Sequence, residues 1–492
     1  MLLTKTFQRF SSLANSPYPR LHPHFVPTLQ TTESTTTKVP LPLTSPKNVI
    51  VLGAGLVSRP LIKYFARDPM LNIKILTKDL GNDTHFYDNN VQLYDVDCMD
   101  KDVMTDFLDQ CDLVISLLPR KMHFNVANMC LESRRCLVTP SYASPELLSL
   151  DKEARDRGIL ILNELGLAPG IDHMLSKRIF DEVENNGGKV TAYNSWTGGL
   201  PTPKSVDNSM GYKFTWDPEG VLMNIWNPIK FIENSHLFNS DGGEIIKFLR
   251  PINILDGLEL EGYPNRDSAK YIELYKIPHA KTVLRGTLRF SGYYRALEAF
   301  RKIGLLTREP LDWEVTDGMT FREFIDITIR QNYPSLPSHY STEQLLLKVL
   351  DNDEKSFADL KSLGLLSDTL IEPGRNPVQI LASFMTKWYH LKPGDRDWAV
   401  TIQRVEIEWG EGSKSRMVAM YSLLGGDVSM GEDTAMAVSV GLPIAIAAKL
   451  ILRREINETG VHYPLKANMY KPILKELEEE GLEFSNISYP LF

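Results

Sequence analysis

From Asn48 onward the chain sets short apolar runs against helical stretches. Val49-Ile50-Val51-Leu52 is wholly apolar and ends on Gly53, the pattern of a strand buried on both faces. Leu61–Arg67 then carries apolar residues at helical spacing. Ile73–Leu76, Val91–Val96 and Leu113–Leu117 read as the next three strands, and Cys136–Val138 and Ile159–Leu162 as the fifth and sixth. Asp102–Leu108, His123–Leu131 and Pro145–Arg157 read as helices between them. Strands alternating with helices at this spacing predict an α/β domain over residues 47–165, a Rossmann-like, doubly wound parallel sheet with right-handed crossovers.

After Gly166 the pattern changes. Lys189–Trp196 and Thr282–Phe290 are longer and mix in polar residues, which predicts a second, α+β domain over 166–430 with a mostly antiparallel sheet. Residues 310–391 are helix-rich, including Ser341–Asn352 and Pro377–Lys387, and Val400–Glu408 and Ser415–Leu423 read as a returning strand pair. A helical segment is expected over 431–492. Its uncharged run Thr434–Ala448 is shorter than the roughly 20 residues of a membrane helix and contains Gly441 and Pro443, so it is expected to be a buried core helix and not a membrane span.

Composition narrows the class. A formal net charge of −8 with scattered basic residues offers no nucleic-acid stripe. The four cysteines, Cys98, Cys111, Cys130 and Cys136, form no C-x-x-C pair and fall inside the parallel sheet, so they are expected as buried thiols with no metal site. Residues 1–46 differ from the rest: Lys5, Arg9 and Arg20 stand among many Ser and Thr, with no acid before Glu33. That is the composition of a mitochondrial transit peptide, with a cytoplasmic protein carrying a plain tail as the alternative.

Gly53-Ala54-Gly55-Leu56-Val57-Ser58 follows the first strand and opens a helix. Glycines there let the backbone turn tightly and approach a pyrophosphate, while the helix N-terminus supplies N–H groups. Ser58, also small, stands where the usual fingerprint has its third glycine. The second strand ends at Thr77-Lys78-Asp79; an acid there suits the ribose of NAD and a cation the 2′-phosphate of NADP. NAD is the expected cofactor, with NADP the alternative. Asp95-Val96, Leu118, Pro140-Ser141-Tyr142 and Asn163–Gly170 end the later strands, and the carboxyl ends of parallel strands converge on one ligand crevice. His123 and His279 have no ligand-spaced partners and read as structural or exposed. Asp172 is expected to cap the helix that it opens with His173.

At these loops the sequence becomes specific. Asn163–His173 (NELGLAPGIDH), Gly198–Pro201 (GGLP), Gly211–Phe214 (GYKF), Tyr263–Ser268 (YPNRDS) and Arg285–Arg289 (RGTLR) occur in order, followed by Gly441–Pro443. Together they resemble the saccharopine dehydrogenase family, L-glutamate-forming type, from about Lys47 to the end. Val221–Asn224 and Gly257–Tyr263 are more similar to the dehydrogenase half of the animal bifunctional enzymes, which use NAD in mitochondria; the fungal relatives use NADP. The resemblance implies oxidation of saccharopine to L-glutamate and 2-aminoadipate semialdehyde, and leaves a homodimer open. It implies a cofactor site of Gly53, Ala54, Gly55, Leu56, Val57, Thr77, Lys78, Asp79, Asp95, Val96, Leu118, Pro140, Ser141, Leu167, Ala168 and Pro169. The substrate site implied is Ser141, Tyr142, Ala168, Arg266, Thr287, Leu288 and Arg289, the arginines holding carboxylates. Tyr142 and Glu164 are the candidates for proton transfer. Three positions depart from the family: Ala168 stands for Asp, Arg120 for Tyr and Thr197 for Cys. Two other readings stay open: a homospermidine-synthase-like oxidoreductase, and a weakened, cofactor-binding regulator.

Overall fold

A computed structural model describes residues 43–78, 90–254 and 257–491. The expected transit segment falls outside these residues except for its last four positions, and Asp79 falls outside them as well. The first half builds β1 (Lys47–Leu52), α1 (Arg59–Ala66), β2 (Leu71–Thr77), β3 (Val91–Asp95), α2 (Lys101–Asp109), β4 (Leu113–Ser116), α3 (His123–Glu132), β5 (Cys136–Val138), α4 (Pro145–Ser149), α5 (Asp151–Asp156) and β6 (Leu160–Leu162). All six expected strands form. The helix expected over Pro145–Arg157 is two, with Leu150 between them and Asp151 turning its carboxylate to the backbone N–H of Val461. Asp100 starts α2 by accepting from the N–H groups of Asp102 and Val103, satisfying donors that the first turn leaves free.

The long α6 (Ile171–Asn185) leads into β7 (Lys189–Pro201), which runs through the middle of a second sheet. Its other strands are β8 (Ile229–Glu233), β9 (His236–Ser240), β10 (Arg250–Pro251), β11 (Leu260–Pro264), β12 (Thr282–Phe290), β13 (Asp397–Glu408) and β14 (Lys414–Leu424). Between β11 and β12 lies the short helix α7 (Tyr271–Tyr275). The helix-rich part contains Phe321–Asn332, Thr342–Val349, Glu354–Ser362 and Pro377–Trp388. The first two of these start with capping boxes at Thr320 and Ser341.

The last segment is not only helical. After α8 (Ala435–Leu452), β15 (Gly460–His462) joins the first sheet and, beyond α9 (Ala467–Glu479), β16 (Phe484–Leu491) joins the second. The parallel sheet is therefore seven-stranded, in the order β15-β6-β5-β4-β1-β2-β3. The second sheet runs β10-β11-β12-β7-β13-β14-β16, with β8 and β9 appended at β12; only β12 and β7 pair in parallel. Three residues, Gly460-Val461-His462, are too few for alternation to announce a strand. Their pairing with Leu160–Leu162 makes them one.

By length and composition α8 would cross a membrane, yet 72 % of it is buried within the protein. It packs against α1 and against strands of both sheets. Ile444, Ile446 and Leu450 are almost fully buried, each contributing roughly 1.5–3 kcal/mol.

Candidate active site

The order of the parallel sheet places β1 between β2 and β4. The chain reverses direction across the β1/β4 edge, where a crevice opens at the carboxyl ends of the strands. Gly53 stands there with φ at 93°, which strains any side chain, while a Cβ on it would make only ordinary contact with Leu118 and the Leu117 carbonyl. Gly55 differs: a Cβ on it would meet nothing within 4 Å. Gly55 and Leu56 are exposed, Ala54 and Val57 half-buried. The Ser58 hydroxyl donates to the Gly55 carbonyl at 2.8 Å, so it holds the turn and does not cap α1. The first turn of α1 has no acidic residue. An open glycine turn at an uncapped helix N-terminus fits a pyrophosphate.

At the end of β2, Thr77 is half-buried and Lys78 exposed. Lys78 Nζ lies 2.9 Å from Asp97, an exposed pair beyond β3. Asp95 is exposed and Val96 half-buried. The loops after β5 and β6 meet where a Cβ on Gly166 would lie 3.4 Å from Pro140 Cβ. In the second loop Leu167 and Pro169 are buried and Ala168 is half-buried, joined to Pro169 by a cis peptide bond. Ser141 Oγ is 3.0 Å from Nε2 of His123. His123 is fully buried and its pKa is pushed down to about 4 by desolvation. The structural reading of His123 thus holds for its burial, but it also touches a candidate ligand residue.

Tyr142, in the loop after β5, lies against cationic side chains of the second half. The Arg266 guanidinium lies 5.0 Å from its ring centre, and the Lys270 Nζ and the Arg285 guanidinium each lie 5.9 Å away. Arg120 Nε donates to its carbonyl at 3.4 Å. The Tyr142 hydroxyl is buried without a partner, and burial pushes its pKa up, so the phenol stays protonated near neutral pH and can donate.

Beneath Tyr142 lies a fully buried network. Glu164, at φ 62°, accepts from the Ala143 N–H at 3.2 Å, the Tyr271 hydroxyl at 3.0 Å and His173 Nε2 at 2.7 Å. A carboxylate only accepts, so Nε2 carries the proton and His173 Nδ1 takes the Tyr275 hydroxyl. Burial alone would raise the Glu164 carboxyl, but the His173 hydrogen bond and the Lys270 and Arg285 charges hold it down at about 2. Such a group does not pick up a proton in the neutral range, which argues against Glu164 as the base and makes it an anchor. Asp172 is not the N-cap of α6, a place that Gly170 takes; from inside the first turn it accepts from the Gly170 and His173 N–H groups and forms an ion pair with buried Arg285.

On β12 alternation separates the substrate candidates. Thr287 and Arg289 share a face with Arg285, whereas Leu288 points the other way, fully buried in the core beside Gly198. Leu288 is thus a packing residue and not a side-chain contact to ligand. Arg289 is 4 % exposed, 5.0 Å from the Tyr212 ring centre and 5.1 Å from that of Tyr293, and its Nε has no partner. Lys270, Tyr271, His173, Arg285 and Arg120 were not singled out from sequence as site residues. His173 and Arg285 lay within motifs and Arg120 stood out as a departure from the family, whereas Lys270 and Tyr271 carried no signal.

Comparison with known proteins decides the family. A model of the saccharopine dehydrogenase C-terminal domain matches residues 166–482, and one of the saccharopine dehydrogenase NADP binding domain matches 49–162. The chain belongs to the saccharopine dehydrogenase family. It is 36 % identical over 451 residues to the mitochondrial alpha-aminoadipic semialdehyde synthase of Bos taurus, covering 90 % of this chain and 48 % of that protein. It thus spans about half the length of such animal relatives. Saccharopine dehydrogenase (NADP+, L-glutamate-forming) of Pyricularia oryzae is 32 % identical over 89 % of this chain and 98 % of its own. The apo saccharopine dehydrogenase (L-Glu forming) of Saccharomyces cerevisiae superposes with a TM-score of 0.77 at 30 % identity, over 90 % of this chain and all of that one. The Rossmann-like α/β expectation and the resemblance both hold.

Proposed function

We propose that this protein oxidises saccharopine with a nicotinamide dinucleotide and water to L-glutamate and 2-aminoadipate 6-semialdehyde. The observation that carries the reading is the ring of guanidinium groups about Tyr142, those of Arg120, Arg266 and Arg285, together with an open glycine turn at the start of α1. Saccharopine bears three carboxylates, and guanidinium groups bind carboxylates through two parallel hydrogen bonds. A polyamine substrate needs carboxylates in such a ring, and the buried Glu164 and Asp172 are already committed to partners.

The Gly53–Val57 turn and the first turn of α1 would hold the pyrophosphate. Bound, the dinucleotide supplies the acceptor for the hydride. Arg266 and Arg289 hold carboxylates, Ser141 and Thr287 add neutral hydrogen bonds, and the Tyr142 hydroxyl donates to the bound substrate. Asp172 is needed to offset the charge of buried Arg285, and Glu164 to fix His173 and Tyr271. For the cofactor we favour NADP over the NAD first expected from sequence. The matching family model is an NADP-binding one, and Lys78 offers an exposed ammonium at the end of β2 for a 2′-phosphate. Residues 1–46 are proposed to direct the protein to mitochondria, on the strength of their basic, Ser-rich, acid-free start. A reporter fused to them should enter mitochondria; diffuse fluorescence overturns this. The function itself is tested by saccharopine oxidation followed at the nicotinamide absorbance with NADP+ and NAD+ separately. Turnover with NADP+ is expected, and none with either cofactor, in protein that binds them, overturns the reading.

A further inference from the structure

The groups around Tyr142 differ in whether a proton can leave or reach them. Glu164 is fully buried with both oxygens hydrogen-bonded. His173 is fully buried with both ring nitrogens engaged. Asp172 is paired to Arg285, and the guanidinium groups of Arg120, Arg266 and Arg285 do not deprotonate. Lys270 stands apart. Its side chain is 32 % exposed, and its Nζ lies 3.7 Å from Glu164 Oε1, beyond hydrogen-bond reach. Among the described residues Nζ has no hydrogen-bond acceptor. Three tyrosine rings surround it, with centres 4.8 Å (Tyr271), 5.8 Å (Tyr463) and 5.9 Å (Tyr142) away.

The backbone that carries this amine is fixed. Ser268 accepts from the Arg285 N–H at 2.9 Å, and its own N–H donates to the Lys230 carbonyl at 2.6 Å. The Lys270 N–H donates to Asp267 Oδ1 at 3.2 Å. A fixed backbone thus carries a partly exposed side chain whose Nζ lies by the Tyr142 ring. Desolvation lowers its pKa first of all. The charges of Arg285 and Arg120 act in the same direction, while Glu164 and Asp267 oppose. Ala168, in the loop after β6, offers no group to take up a proton.

We propose that Lys270 is the proton-transfer group of this site, a role resting on the saccharopine reading. Its neutral amine takes a proton from the secondary ammonium of the substrate. The freed nitrogen pair then forms the C=N bond while the C–H pair leaves as hydride for the nicotinamide, the two-electron oxidant, giving an iminium. Water adds to the iminium carbon and loses a proton to solvent. The Lys270 ammonium then protonates nitrogen. The C–N bond breaks with its electrons on nitrogen, and the hydroxyl proton returns to Lys270. Lys270 hands that proton to the freed amine, which leaves as an ammonium beside the aldehyde, so Lys270 is neutral again and one proton is released overall.

The test uses the full chain and the variants Lys270→Ala and Lys270→Arg. Positioned proton transfer contributes roughly 10²–10⁴-fold, so kcat should fall at least about a hundredfold in both variants, with KM for saccharopine little changed. The acid limb of the kcat profile should disappear, and methylamine should partly restore Lys270→Ala. An arginine variant that keeps its kcat, a loss confined to KM, or an unchanged acid limb overturns the proposal. A second measurement needs no substrate: trace acetylation of the NADP+-bound protein across pH reads the ionisation of Lys270 directly. An ionisation no lower than that of free lysine also overturns it. Absence of saccharopine turnover by the unaltered protein counts against the proposed function instead, and the acetylation result then decides Lys270 alone.

Discussion

At the scale of single residues, the site separates groups that meet ligand from groups that hold others. Gly55 has no positive φ to protect, and a Cβ there meets nothing. Gly55→Val should therefore leave the melting temperature almost unchanged while weakening dinucleotide affinity at least tenfold, as isothermal titration would show; unchanged affinity counts against the turn as the cofactor site. Loss of a charge-assisted hydrogen bond costs about 1.5–3 kcal/mol, so Arg266→Ala and Arg289→Ala should each lower kcat/KM roughly tenfold to a hundredfold. Lysine should rescue only in part, since it lacks the planar fork. Stability should separate the two: Arg289 fills the space between Tyr212 and Tyr293 and its loss should lower the melting temperature, whereas half-buried Arg266 should matter less. His123 gives a pH signature. Its pKa drops from 6.5 to about 4 on burial, so the unfolded chain binds the proton more readily between those values. Its contribution is complete above pH 6.5 and is lost as pH falls towards 4. Melting temperature should drop over that window, and His123→Asn should flatten the drop.

At the scale of elements, the dinucleotide turn depends on a helix from the far end of the chain. Gly441, inside α8, would place a Cβ 3.0 Å from both the Leu61 nitrogen and the Val57 carbonyl oxygen. Both are backbone atoms and cannot swing aside. Alanine favours a helix over glycine by about 1 kcal/mol, but overpacking against backbone costs about 1–3 kcal/mol. Gly441→Ala should therefore lower the melting temperature and, by pushing α1 away, weaken dinucleotide binding together with it. A more stable protein with unchanged affinity would mean that α8 yields instead. The motif Gly441-Leu442-Pro443 was legible as part of the resemblance. That it props the start of α1 follows only from the packing.

At the scale of the whole molecule, the C-terminal residues join the two halves: β15 completes the parallel sheet, β16 edges the second one, and α8 lies against both. Thermal unfolding of the protein should thus be a single transition by circular dichroism. Removing residues from 454 onward takes a strand from each sheet and should lower the melting temperature of both halves together; an intact dinucleotide half would contradict the coupling. The sequence alone determined the first half well, because its strands are continuous apolar runs and its glycine turn follows directly in the chain, so each signal is local. It also determined the family, through motifs whose order survives without knowing where they meet. Tertiary structure alone decided the rest. Tyr271 lies 107 residues from the Glu164 it donates to, and Arg285 lies 113 from Asp172. No periodicity announces such pairs, because a buried carboxylate takes its partners from whatever the fold brings beside it. That is why Glu164 looked free to move a proton in the sequence and proved fully engaged, while Lys270, one charge in a polar loop, was left with the open amine.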